Sequence, residues 1–89
     1  MMYHRLKMFL LTAHGMAVRK LGGNLYKDPP LIRFEEAGTF FQSPILMDAR
    51  ESGFVELASD GFRVKKEFQD MTRAEFYDAV AGTKLNHRP

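Results

Sequence analysis

Cysteine is missing from this chain, and its absence excludes two classes of protein at once. No disulfide framework can form, and zinc sites built on thiolates are ruled out. Long apolar runs are missing too, since no stretch reaches the ~18 residues that a membrane span needs. Residues 1–17 imitate a signal peptide, with Arg5 and Lys7 ahead of Met8–Leu11 and small residues in Ala13–Ala17. The apolar run is nevertheless shorter than the ~7–15 residues of such a leader's core, so a cytoplasmic protein is expected. Nor is there a large surplus of charge of one sign. Lys plus Arg is 13 against 11 for Asp plus Glu, and a net charge of +2 does not describe a histone-like polycation.

Catalytic signatures are equally scarce. The sequence has no phosphate-binding G-x-x-x-x-G-K-[ST], no G-x-G-x-x-G, no H-E-x-x-H and no G-x-S-x-G. His4 and His14 are ten positions apart. On one helix that is about 15 Å, too far to share a metal ion. The carboxylate pairs Glu35–Glu36 and Asp48–Glu51 read as solvated helix faces. A chain of 89 residues buries only about 60% of its unfolded surface, enough for one modest core and not for a deep substrate cleft. The expectation is a non-enzymatic protein with no cofactor, no metal and no small-molecule substrate.

What is present is a globular composition, 45% apolar and 27% charged. Residues 3–21 carry Leu6, Leu10, Ala13, Ala17 and Leu21 in steps of four and three, with Phe9 and Met16 beside them, which predicts a helix. Gly22 and Gly23 suit its end, and Arg19 and Lys20 favour the negative pole of its dipole. Met8, Leu11 and Val18 fall off this stripe, so the helix is either buried on more than one side or has a second, partner-facing seam. Residues 22–30 read as a linker, from Gly22-Gly23-Asn24 and Asp28-Pro29-Pro30. Residues 30–38 fit a short helix or a strand. Residues 43–53 fit a helix with Ser43 as N-cap, Pro44 in the first turn and Gly53 after the end.

Residues 54–68 predict a β-hairpin closed by a two-residue Asp60-Gly61 turn. That turn pairs Leu57 with Val64, Glu56 with Lys65 and Val55 with Lys66. Residues 72–81 predict a last helix, opened by a Thr72…Glu75 capping box, presenting Phe76, Ala79 and Val80, and ended by Gly82. Residues 1–82 would form the single domain and residues 83–89 a loose tail.

The string from Ser43 through Gly53 into Phe54-Val55-Glu56-Leu57, then Asp60-Gly61-Phe62-Arg63-Val64, resembles winged helix-turn-helix domains. There, a recognition helix ends at a glycine, and an apolar first wing strand, a tight turn and a second strand follow. The resemblance spans about residues 31–67. It implies an α+β fold of three helices, a hairpin wing and a C-terminal helix. Residues 31–37 would be the first helix of the motif and 43–52 the recognition helix. The implied function is DNA binding in transcription regulation, through Gln42, Ser43 and Arg50 on the helix and Arg63, Lys65 and Lys66 on the wing. One departure weakens that function. The recognition helix carries Arg50 against Asp48 and Glu51, a net negative charge facing phosphates.

Two alternatives stay open. The fold could instead be two helices on a three- or four-stranded antiparallel meander, with 31–36 and 39–47 as strands and Phe34, Phe40 and Ile45 on the inner face. The function could be that of a protein–protein module, a small adaptor or inhibitor, touching its partner through Phe40, Phe41 and Tyr77 and the Met8, Leu11 and Val18 side of the first helix. Burial of that side would also make the chain a homodimer.

Overall fold

A computed structural model describes residues 2–24, 26–37 and 43–82. Phe40, Phe41, Gln42 and the 83–89 segment lie outside the described residues. The fold is α+β, and the described residues form five helices and a three-stranded antiparallel sheet. In chain order the elements are α1 (Met2–Leu21), β1 (Ile32–Arg33), α2 (Phe34–Ala37), α3 (Ser43–Ser52), β2 (Val55–Leu57), β3 (Gly61–Val64), α4 (Lys66–Gln69) and α5 (Arg73–Ala81). The strands lie in the order β1-β3-β2.

Helix α1 is the spine. Its stripe of Leu6, Phe9, Leu10, Ala13, Ala17 and Leu21 is buried, and it packs against α3, α5 and the sheet. Gly22 and Gly23 then take positive φ, as a left-handed exit requires. Leu11 is half-buried and packs on the domain's own core. Of the three residues assigned to a partner-facing seam, Leu11 is thus partly covered by the domain itself. Only Met8 and Val18 stand out in solvent, about 40% exposed (41% and 39%). A 20-residue helix surrounded by sheet and helices is covered on more than one side, and Leu11 belongs to that covered surface.

The ambiguous segment is strand and helix in succession. Ile32 and Arg33 pair with Phe62 and Gly61 of β3, and one helical turn, Phe34–Ala37, follows at once. Residues 43–47, part of a strand in the meander alternative, are helical, and the three-stranded antiparallel sheet takes its third strand from Ile32–Arg33. Helix α3 buries Ile45, Leu46 and Ala49. It ends as its sequence implies: Gly53 adopts φ +87° and its N–H donates to the Arg50 carbonyl.

The hairpin exists, but its register is two residues from the expected one. Val55 faces Val64, Glu56 faces Arg63 and Leu57 faces Phe62. A shift of two keeps every side chain on its own face, so the alternation alone could not choose between the registers. The observed register matches two apolar pairs and one opposite-charge pair, whereas the expected one set Val55 against Lys66. The turn residues are Ser59 and Asp60, closed by the Ala58 N–H on the Gly61 carbonyl. Gly61 does not have positive φ, so the expected Asp60-Gly61 turn is replaced. Gly61 serves another purpose. It faces Arg33 of β1, and a Cβ there would collide with the Ile32 carbonyl oxygen and lie 3.0 Å from the Arg33 Cα. Glycine lets the third strand approach.

The second strand also stops earlier than expected, at Val64. Lys65 and Lys66 are not strand residues. Lys65 is extended at the N-cap of α4, and its carbonyl accepts from the Phe68 and Gln69 N–H groups. This single turn brings Phe68 to 4.6 Å from Phe54, ring centre to ring centre, while Phe54 lies 5.5 Å from Phe76. Burial of Phe68 in this aromatic cluster overrides the strand character of the preceding residues. Helix α5 begins with both halves of its capping box, the Glu75 N–H donating to Thr72 Oγ1 and the Thr72 N–H to Glu75 Oε1. Phe76 and Val80 are buried, and α5 packs against α1.

Candidate functional site

The face formed by α3 and the hairpin is where the predicted contacts concentrate. The 3.6-residue period turns Ile45, Leu46 and Ala49 inward and leaves Met47, Arg50 and Glu51 exposed, with Asp48 half-buried. Ser43 is the first residue of α3. At the other end, Ser52 Oγ donates to the Ala49 carbonyl at 2.6 Å and accepts from the Phe54 N–H, which directs the chain from α3 into β2.

Positive charge on this face is met by negative charge. Arg63 is exposed on β3, directly across from exposed Glu56. At the turn, an Arg33 guanidinium nitrogen is 3.6 Å from Asp60 Oδ2, and the Phe34 N–H donates to the Asp60 carbonyl. Lys66 is committed elsewhere: its Nζ donates to the Lys27 carbonyl at 3.2 Å and pairs with Asp70. The expected basic wing of Arg63, Lys65 and Lys66 is thus divided, with Arg63 on the strand and the two lysines at the start of α4. Among the described nucleic-acid candidates, Arg50 on α3 and Arg63 on β3 are the exposed cations.

Glu36 ties α2 to α1 and to β1. Its carboxylate lies 2.7 Å from Lys20 Nζ and accepts the Arg33 N–H at 2.9 Å. Lys20 first, and then the Arg33 N–H, hold this carboxyl below its ordinary range. Its role is to orient β1.

Helix α1 also carries a buried histidine that packs against α5. His14 is only 2% exposed. Its ring stacks on Phe76 at 4.4 Å and 11° between planes, and its Nε2 is 3.0 Å from the Met71 carbonyl oxygen. A carbonyl can only accept, so Nε2 carries the proton of the neutral ring and donates. Burial lowers the His14 pKa and nearby Arg73 lowers it further, while the hydrogen bond to Met71 acts the other way. The signal was available, because His14 is four residues after Leu10 and three before Ala17, on the buried stripe itself.

Among the described residues no group of three or more histidines and carboxylates could hold a metal ion, and no helix is long and apolar enough to cross a membrane. No family model, curated protein or solved structure matches the chain.

Proposed function

We propose that this chain is a winged-helix-like, non-enzymatic module that contacts another protein through the outer face of α3 and the adjoining hairpin. The order of helix α2, helix α3, glycine exit and tight hairpin supports the winged-helix reading of its scaffold. The observation that carries the protein-binding reading is the charge arrangement. Arg50 is flanked by Asp48 and Glu51, Arg63 faces Glu56, and Arg33 is held by Asp60. A phosphate-tracking face needs cations in excess, since their release of counterions supplies most of the affinity. A mixed face with an exposed Met47 suits a protein partner, for which a flexible thioether adapts to many shapes. Duplex DNA is the second reading, favoured by the exposure of Arg50 and Arg63.

The two readings separate in one pair of measurements. Fluorescence anisotropy with random duplex DNA at low salt is expected to show no binding that weakens steeply as salt rises. Affinity purification with the full chain as bait is expected to recover a stoichiometric protein partner that a Met47→Asp bait loses. Steeply salt-dependent DNA binding, lost in Arg50→Glu, would replace the first reading by the second. Recovery of the same partner by the Met47→Asp bait would move the contact off α3.

A further inference from the structure

We propose that the cleft between α1 and the start of α5 binds a small monocarboxylate with an apolar body. The cleft has a volume of about 220 Å³ and is lined by His14, Gly15, Val18, Met71, Thr72 and Arg73. Its walls are largely apolar with a few polar groups, the composition typical of small-ligand sites. The volume is below the ~300–1,000 Å³ of sites for drug-sized molecules, which sets the size of the occupant.

The charge of the occupant follows from Arg73. This exposed residue has no carboxylate within ion-pair distance among the described residues, unlike Lys20, Arg33 and Lys66, each of which has one. Gly15 lacks a side chain at the cleft, and the atom nearest to where its Cβ would stand is Arg73 Nη1, at 3.8 Å. The guanidinium therefore lies across the open stretch of α1. A guanidinium's parallel N–H groups match the two oxygens of a carboxylate. Thr72 adds a donor: its hydroxyl oxygen accepts the Glu75 N–H, which leaves the hydroxyl proton for a ligand. The Glu75 carboxylate is turned to the Thr72 N–H and is held in the capping box.

The rest of the occupant follows from what lies around Arg73. Burial keeps His14 in its neutral form, with its Nε2 proton donated to the Met71 carbonyl, so among the described residues the lining offers one cation. One cation suits a singly charged ligand and leaves a phosphate dianion undercompensated. Val18 and Met71 offer apolar surface for the ligand's body. An anion seated beside His14 favours its protonated form, so binding couples to the titration of this ring.

Benzoate, benzamide and inorganic phosphate, titrated into the full chain and followed by amide chemical shifts, test the proposal. Benzoate is expected to saturate shifts at Gly15, Val18, Thr72 and Arg73 with a Kd of about 1 mM or below, as a ligand of this size allows. Benzamide and phosphate are expected to bind at least about tenfold more weakly. Arg73→Met, which keeps the stem and removes the charge, should weaken benzoate about tenfold, and Gly15→Leu, which fills the cleft from α1, should abolish it. Saturating benzoate should also move the His14 ring titration to higher pH. The proposal is overturned by the absence of saturable benzoate shifts at these residues, by equal affinity for benzamide or phosphate, or by unchanged benzoate binding in folded Gly15→Leu.

Discussion

The start of α5 and the tip of the hairpin are both four-residue signals, and they behave differently. At Thr72–Glu75 the signal is complete in itself: two side chains satisfy two backbone donors of the same segment. Nothing distant has to arrive for the helix to begin there. At Ser59–Phe62 the local chemistry favoured a turn on Asp60-Gly61, and the chain turns one residue earlier instead. A distant partner decides this. Strand β1, about 30 residues upstream, pairs Arg33 with Gly61 and Ile32 with Phe62, and it needs the glycine inside the ladder. A cap is settled by its own segment, whereas a register is settled by whatever pairs on both sides of the strand.

The contrast can be tested first at Gly61. Gly61→Val should cost about 3 kcal/mol or more in chemical denaturation, because overpacking against the β1 backbone cannot be relieved by a rotamer change. Amide exchange at Ile32–Phe34 should accelerate in the same variant. A loss of only a few tenths of a kcal/mol, with β1 still protected, would return the glycine to the turn.

Acid sharpens the comparison at the other end, under α5. His14 has a folded-state pKa below its unfolded value near 6.5, so the unfolded chain takes up the proton first. Stability contributed by the neutral, stacked ring is therefore complete above about pH 6.5 and falls as pH drops towards the folded-state pKa. The slope is at most about 1.4 kcal/mol per pH unit. Glu36 adds to the acid sensitivity only in the carboxylate range, where its lowered pKa makes protonation favour the unfolded chain. A Phe in place of His14 keeps a ring on Phe76 and should flatten the profile between pH 6.5 and 5. A slope unchanged in His14→Phe would assign it to another group.

The smallest effect is expected at the cap itself. Thr72→Ala should lose about 0.5–2 kcal/mol by urea denaturation, since one N–H of α5 is left to water. Thr72→Ser should recover most of that loss. Equal stability of Thr72→Ala and the parent would mean that packing against α1, not the box, starts the helix.

Much of the secondary structure was legible because its causes are local. The α1 stripe, the Gly53 exit of α3 and the Thr72 cap each depend on residues within a few positions of one another. Less of the candidate site was legible. Arg50 and Arg63 lie on the helix and the strand that the sequence assigns them to, whereas Lys65 and Lys66 fall beyond a strand that ends at Val64. Lys66 instead reaches the Lys27 carbonyl across 39 positions, a partner no local pattern announces. His14 shows the opposite case: its place on the α1 stripe is visible in the sequence, but the Met71 carbonyl that satisfies it lies 57 positions away.

By itself the sequence determined an α+β chain with its helix limits at α1, α3 and α5, because hydrogen-bonding caps and 3.6-residue periodicity act within one segment. The tertiary structure alone decided the hairpin register, the turn of α4 and the meeting of His14 with Arg73 over a cleft. In each case the deciding contact comes from a distant segment: β1 on Gly61, Phe54 and Phe76 on Phe68, and the α4–α5 connection on His14. A strand or a single helical turn gains too little from its own residues to select one geometry, so the partner that buries it makes the selection.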